Sequence, residues 1–376
     1  MDYFECRSIK RPILFICNMT VNIKMKHIIA GAVMIVKINA MKQIIAALVG
    51  VILASGVLAR GQAPELQRIP FSAIQGVSVG NAQDDAAGTG VTVFRLTVPG
   101  RAAVAVFGGG PASRETETLA PERNHPLNAL VFSGGSAYGL AASGGVARCL
   151  EEHGVGFDTG IARVPIVCQS CIYDLGYGSA TVRPDEQMGH TACEASFAGN
   201  DPCSGNVGAG TGATVGKAAG MQQAQKAGIG YAAAQMGSLR IGVAVVLNSF
   251  GDIYSHGKKI AGMLTPDRSA FADSYTTLLH TAGDNLFTAN TTLVAVFTNG
   301  DFTPAQLRHL AQMASAGLAR CIDPVFSTAD GDTIYAVSVG DEQHKVSANL
   351  DAAGALSASL VEEAIADAVY SAKNGS

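Results

Sequence analysis

The sequence predicts a layered α+β sandwich, and three observations point to it. Segments with strand patterning come in pairs and segments with helical periodicity stand in separate groups, unlike the strict alternation of βαβ units. Hydrophobic residues make up 48% of the 376 residues and charged residues only 15%, which is enough apolar material for a large core. The 44 glycines cluster between apolar runs without a fixed period, as expected for turns between tightly packed sheets rather than for a collagen or repeat protein. The net charge of −4 forms no basic stripe and no acidic tail, which points away from nucleic acid and from a disordered, solvating role.

Taken in order, the chain opens with a distinct leader. From Met41, "MKQIIAALVGVILASGVLARGQAPE" places a lysine before an apolar run and then small residues, the pattern of a secretory signal, with cleavage after Ala59 or Ala63. The run is shorter than the roughly 20 residues a membrane span requires, which favours a cleaved signal over an anchor. Residues 1–40 carry a second apolar run broken by Lys37 and read as an upstream misassigned start, with a two-part anchor as the alternative. The expectation is a leader over 1–63, export, and one domain over 64–376. Export permits disulfides, and Cys193 with Cys203, which flank a short polar loop, form the expected pair. "CQSC" (168–171) resembles a redox or zinc half-site but has no second half, and the eight histidines form no spaced pair, so no metal is expected.

Within the domain, 91–98 and 102–107 read as a hairpin around Pro99-Gly100-Arg101. Residues 128–132 read as a buried strand, followed by a helix over 140–153 that Gly154 closes. Strands are expected at 238–247, 293–298 and 333–339. An amphipathic helix with Pro304 in its first turn is expected over 303–319, and a long helix within 348–372. The polar, aperiodic stretch 257–289 reads as an exposed loop that tolerates a cut.

Several segments invite chemistry. "SGNVGAGTGATVGKAAG" (204–220) approaches a phosphate-binding loop but fails it, because five residues separate Gly210 from Gly216 and Ala218 follows Lys217. Its successive N–H groups, entering a helix, would hold an anion or a tight packing contact. Lys217 is either an exposed helix lysine or an ammonium near a reaction centre. "GGSAYG" (134–139) resembles a nucleophile elbow around Ser136, but Tyr138 stands where glycine is required. Tyr138 would instead offer a hydroxyl to an oxyanion, or be a half-buried structural tyrosine. Asn248 ends a strand, either as a turn starter or as a donor of a side-chain N–H. Asp330 and Asp332 flank Gly331, either as an ordinary turn or as a carboxylate pair that orients a nucleophile or binds an amine.

In order, "GGSAYGL", "GNVGAGTGATVGK", "VVLNSFGD", "NTTLVAVFTN", "GLARCIDPV" and "DGDTIYA" resemble the self-processing DmpA-type peptidases over residues 68–372. That family includes L-aminopeptidase/D-amidase enzymes, β-peptidyl aminopeptidases and NylC-type hydrolases of nylon (6-aminohexanoate) oligomers. The resemblance implies a four-layer αββα sandwich like that of N-terminal-nucleophile hydrolases. It also implies a precursor cut between Asn290 and Thr291 into a 64–290 α-subunit and a 291–376 β-subunit. Thr291 would be the nucleophile, with Thr292 as the alternative. Lys217, Asn248, Asp330 and Asp332 match the nylon-hydrolase site, and Tyr138 matches an oxyanion-region tyrosine. Thr at 291 and Asp-Gly-Asp at 330–332 place the chain nearer the nylon-hydrolase branch, while Cys168, Cys171 and Cys203 depart from the family pattern. A small amide or peptide substrate, no cofactor and a homo-oligomer of αβ units are implied.

The chemistry supports this expectation. A hydroxyl nucleophile needs a base, and a threonine freed at an N-terminus carries one in its own α-amine, with a pKa of about 7.7–8.0. Inside the intact chain that amine is an amide, so the backbone must break first. The rival readings are an ornithine-acetyltransferase-like acyltransferase and a binding protein that keeps the fold but never cuts. The Asn290-Thr291-Thr292 glycosylation sequon carries little weight at a strand start in a packed sandwich.

Overall fold

A computed structural model describes residues 65–374 except 124, 201 and 281–289, together with residues 25, 34, 37 and 40–46. Residues 1–64 and 65–376 are separate units. In the first, residues 40–46 are helical and exposed. The rest of the expected signal, with both cleavage positions, lies outside the described residues. No helix among the described residues is long and apolar enough to cross a membrane.

The second unit is built on ten strands and four long helices. The strands are β1 (Leu66–Arg68), β2 (Val77–Asp84), β3 (Thr89–Val106), β4 (Ala112–Arg114), β5 (Leu127–Ser133), β6 (Val167–Cys171), β7 (Ile229–Met236), β8 (Leu239–Asn248), β9 (Thr291–Thr298) and β10 (Thr333–Ser338). The helices are α1 (Ala142–Glu152), α2 (Glu186–Ala198), α3 (Pro304–Cys321) and α4 (Leu350–Asn374). Strand order is β1-β7-β8-β9-β10-β3-β5-β6-β4, with β2 on β3. The β9–β10 and β5–β6 pairs are parallel.

Three cores resolve the layers. Val243, Val245, Val294, Val296 and Ile334 pack against Leu307 and Leu310 of α3 and Leu360 and Ile365 of α4. The alternate residues Ala244, Val246, Leu293, Phe297 and Tyr335 meet Phe94 and Phe132 from the other half of the sheet. Val91, Val93, Ala129 and Val131 pack on Val146 and Leu150 of α1 and Ala192 of α2. Because successive side chains on a strand face opposite ways, each half-sheet is apolar on both faces, and the result is the αββα order.

The expected hairpin at 91–107 is instead one strand, β3, shared by both half-sheets. Its first part pairs with β2 and β5 and its last part with β10. Pro99-Gly100 falls where the register breaks between Arg95 and Gly100, so the missing proline N–H costs no regular ladder bond. Of the expected loop 257–289, residues 281–289 lie outside the described residues, and 257–280 are more ordered than expected. Lys258–Ala261 pairs with Asp252–Ser255, and a short helix covers Ser274–His280. Buried Asp252 ties this region down, accepting bonds from Met263 N (2.7 Å), Ser274 N (2.9 Å) and Lys259 Nζ (2.7 Å).

Cysteine pairing differs too. Cys193 bonds to Cys149, not Cys203, because both lie on the facing sides of α1 and α2 in one core. Cys168 and Cys171 are free and buried on β6, and three residues along a strand their side chains take opposite faces, so they cannot bridge. Burial pushes both thiols up to about 12. Cys149→Ser and Cys193→Ser are each expected to cost about 2–4 kcal/mol. Denaturant unfolding with and without reductant checks this: reductant should lower the wild-type midpoint to that of the variants and leave the variants unmoved.

Candidate active site

Three strand ends meet at one place between the half-sheets. β8 ends at Asn248, β9 begins at Thr291, and the turn Asp330-Gly331-Asp332 leads into β10. In the antiparallel register Asn248 lies opposite Thr291. Asn248 is in phase with Ala244 and Val246, and Thr291 with Leu293 and Phe297, so both side chains turn to the inter-sheet face. Thr292 is out of phase and turns to the helix side, where its hydroxyl is buried without a hydrogen bond of ordinary geometry among the described residues, although it still favours the Asp332 carboxylate.

The glycine-rich segment does not enter a helix. It makes a single turn at Gly208–Gly210 and a two-residue strand, Thr214–Val215, before delivering Lys217 inward. Lys217 is 4% exposed. Its backbone N–H bonds to Phe250 O (2.9 Å), and its Nζ donates to Asn248 Oδ1 (2.7 Å) and Asn248 O (3.1 Å). Burial pulls the ammonium down to about 7, against the attraction of Asp330, Asp174 and Asp332. Asn248 Oδ1 also accepts from Thr214 N (3.1 Å), and Nδ2 donates to Tyr173 O (3.1 Å), which fixes the amide's orientation.

The backbone of the Asp330-Gly331-Asp332 turn is held from behind by "FGGG" (107–110). Phe107 N bonds to Asp332 O (2.9 Å) and Gly110 N to Asp330 O (2.8 Å). A Cβ on Gly108 would collide with the Asp330 carbonyl. Asp332 Oδ1 accepts from Thr292 N (2.6 Å) and so pins the start of β9, while Oδ2 accepts from Phe326 N (3.3 Å). Burial, and then the charge of Asp330, raise Asp332 to about 7. Asp330 Oδ2 accepts from Ser327 Oγ (2.6 Å) and Ser327 N (3.1 Å), and burial raises this carboxyl as well. Asp330 Oδ1 is buried without a hydrogen bond of ordinary geometry among the described residues, although the Phe250 N–H still favours the carboxylate.

Asn290 forms a parallel bridge with Asp330. Asn290 N donates to Ala329 O (3.2 Å), and Gly331 N donates to Asn290 O (2.9 Å). The Thr291 hydroxyl lies on the same Asn290 oxygen. Gly331 must be glycine for this approach, since a Cβ there would stand 2.7 Å from Thr291 Oγ1.

The structure therefore gathers Lys217, Asn248, Asn290, Thr291, Asp330 and Asp332, all buried, in one closed place. Tyr138 lies apart from their hydrogen bonds. It is 61% exposed, and the Arg183 guanidinium covers its ring at 3.7 Å. Three contributors had no sequence signal. The first is the Gly331 N–H. The second is Asp174, which accepts from Gly135 N (2.7 Å) and Thr89 Oγ1 (2.7 Å) and needs Gly134 and Gly212 to leave it room. The third is Lys226, a half-buried lysine that desolvation lowers to about 7, whose Nζ holds the carbonyls of Gly210 and Ala213 at 3.0 Å each. Elsewhere, Glu152, His190 and Glu194 bring ligand-type atoms within 4.8 Å of one another between α1 and α2. So do His153, Glu194 and Cys149, whose sulfur is already in the disulfide. The pairs present there are His190–Glu152 at 2.8 Å and His153–Glu194 at 3.0 Å.

Comparison with known proteins shows the family and the fold. The model of peptidase family S58 matches residues 72–375. An uncharacterized aminopeptidase of Mycobacterium leprae is 36% identical over 288 residues, covering 73% of this chain and 77% of the relative. A 6-aminohexanoate-oligomer endohydrolase of Kocuria sp. is 30% identical over 314 residues, covering 78% and 84%. Among solved structures, the L-aminopeptidase D-Ala-esterase/amidase of Ochrobactrum anthropi, described as a variant of the Ntn hydrolase fold, superposes with a TM-score of 0.63 at 21% identity, over 81% of this chain and 87% of that one. A β-aminopeptidase of Burkholderia sp. gives 0.54 at 20% identity, over 82% and 87%. The four-layer fold is thus of the Ntn hydrolase type.

Proposed function

Because the chain belongs to peptidase family S58 and is an amide hydrolase of that family, we propose that it is made as a precursor that cuts itself before Thr291 and then uses Thr291 as an N-terminal nucleophile on small amide or peptide substrates. The observation that carries this reading is the Asn290–Thr291 junction. The Thr291 hydroxyl lies against the carbonyl group whose carbon it would attack, a backbone N–H is already bonded to the oxygen of that carbonyl, and the cross-strand neighbour Asn248 holds a lysine depressed to about 7.

In the first step the bond from Thr291 Oγ1 to the Asn290 carbonyl carbon forms, and the proton of Oγ1 passes to the neutral Lys217 amine. The oxyanion is stabilised by the Gly331 N–H, a preorganised donor that costs no reorganisation. The carbon–nitrogen bond then breaks, with the proton returned to the Thr291 nitrogen. Water cleaves the resulting ester, leaving an Asn290 carboxylate and a Thr291 with a free α-amine. Asp332 keeps the start of β9 in place throughout through its bond to Thr292 N. Family membership favours hydrolysis over the acyl-transfer alternative. Export is part of the proposal, resting on the segment after Met41 and supported by the Cys149–Cys193 disulfide, which suits an oxidising compartment.

Denaturing electrophoresis and intact-mass measurement of the purified wild-type protein test the reading. Two fragments are expected, the smaller being 291–376 with threonine at its N-terminus. A wild type that remains one chain after prolonged incubation at pH 8 overturns it.

A further inference from the structure

A second constellation stands on the outer helix layer, away from the inter-sheet face. α1 and α2 cover the half-sheet that carries Val91 and Val131. Where α1 ends, Glu152 and His153 meet His190 and Glu194 of α2. His190 and Glu194 are four residues apart and so share one face of their helix. His190 Nε2 lies 2.8 Å from Glu152 Oε2, and His153 Nε2 lies 3.0 and 3.2 Å from the two oxygens of Glu194. Glu152, His190 and Glu194 each bring one such atom within 4.8 Å of the other two.

Two carboxylates converge here, and among the described residues neither is bonded to a lysine or an arginine. Arg148, one turn back on α1, pairs with Glu186 instead at 3.2 Å. Like charges brought this close repel, and a cation between them removes the repulsion. The convergence also falls at the C-terminal end of α1, where the helix dipole favours positive charge. The frame is fixed independently of any ion. The Cys149–Cys193 disulfide joins the same two helices beside the cluster, and the His153 ring stacks on Phe197 with centroids 3.8 Å apart, which aims its Nε2 at Glu194.

We propose that Glu152, His190 and Glu194 bind a zinc ion that ties the end of α1 to α2, and that His153 is a positioning residue that orients Glu194. One imidazole nitrogen with two carboxylate oxygens is a donor set for zinc, whereas magnesium and calcium take oxygen alone. Zinc bonds of about 2.0–2.2 Å set neighbouring ligand atoms about 3.3–3.6 Å apart in a tetrahedron, so the three side chains close by roughly an ångström, with water at the fourth position. Neutral His190 offers Nε2 by carrying its proton on Nδ1, and the metal then replaces the hydrogen bond to Glu152. His153 bonds to the ligating carboxylate from outside, as such ligands are commonly held. The histidines do not announce this site by their spacing along the chain, because two helices supply it. The proposal is independent of self-processing.

The test uses the untagged full chain, stripped of metal and titrated with Zn²⁺ against a chromophoric chelator. One zinc per chain is expected. His190→Gln and Glu194→Gln should each weaken it by more than about 100-fold, and His153→Phe, which keeps the ring stack, by about 10–100-fold with the stoichiometry unchanged. Mg²⁺ at the same concentration should not compete. Thermal unfolding should shift upward with Zn²⁺ in the wild type and not in His190→Gln or Glu194→Gln. Metal-free midpoints near that of the wild type show that the variants fold, and the two ligand variants are independent of each other. A wild type that takes up no zinc, ligand variants that bind it as tightly as the wild type, or equal competition by Mg²⁺ overturns the proposal. Full affinity in His153→Phe overturns the role given to His153.

Discussion

Thr291→Ala is expected to leave a single uncut chain without amidase activity, whereas Thr292→Ala is expected to cut. The two threonines are adjacent and chemically alike, so the contrast isolates position. Thr291 is in phase with Leu293 and Phe297 and shares the inter-sheet face with Asn248, its cross-strand partner. Its hydroxyl lies on the Asn290 oxygen. Thr292 turns the other way, and what it contributes is its backbone N–H, bonded to Asp332 Oδ1 at 2.6 Å, which an alanine retains. Removing the nucleophile should slow cleavage by about 10³-fold or more, as losing the hydroxyl of a Ser-type site does. Thr291→Ser keeps a hydroxyl at the same place and should still cut. Electrophoresis of the three variants over a time course is the measurement. Cleavage of Thr291→Ala at the wild-type rate would place the nucleophile elsewhere.

Much of this architecture is legible in the order of the amino acids. Strand ends at Asn248 and Thr291, the Asp-Gly-Asp turn before β10 and the helices on either side follow from periodicity and from residues that belong at turns. What stays hidden is set by distance along the chain. Asp174 lies in "YDLGYG" and looks like any turn aspartate, because its burial depends on Thr89, Gly134 and Gly212, each far away in sequence. Lys217 sits among small residues, a pattern that fits an exposed helix as well as an inward loop, and only packing against Asn248 and Phe250 decides between them. The Gly331 N–H is invisible for a different reason: every residue but proline carries an N–H, and which one meets a reacting carbonyl is decided by strand register. The hairpin expected at 91–107 is absent because Pro-Gly, a turn signal, is equally a tolerable break where one strand passes between two half-sheets.

Lys217→Met carries the second large effect, and its pH dependence separates a base from a structural lysine. A methionine fills similar volume without a charge, so the variant should fold. Asn248 Oδ1 would keep its bond to Thr214 N at 3.1 Å, and a buried ammonium whose desolvation outweighs the attraction of its neighbours would be gone. Self-cleavage should nevertheless fall by about 10²–10⁴-fold, the usual contribution of a positioned proton acceptor. In the wild type only the neutral amine can accept the Thr291 proton. Burial lowers Lys217 from its ordinary value to about 7, so the competent form is scarce below that pH and dominant above it. Asp332, raised to about 7 by burial and the neighbouring Asp330, acts in the same direction, since its carboxylate form is the stronger acceptor for Thr292 N. The rate of self-cleavage should therefore climb as pH rises through about 7 and level off above it. The residual rate of Lys217→Met should lack the part of that climb due to the lysine, while its unfolding midpoint stays at or above that of the wild type. A time course of fragment appearance from pH 5.5 to 9 in both proteins measures this. A wild-type rate that is flat across that range, or a methionine variant that cuts normally, would leave Lys217 with no role beyond holding Asn248.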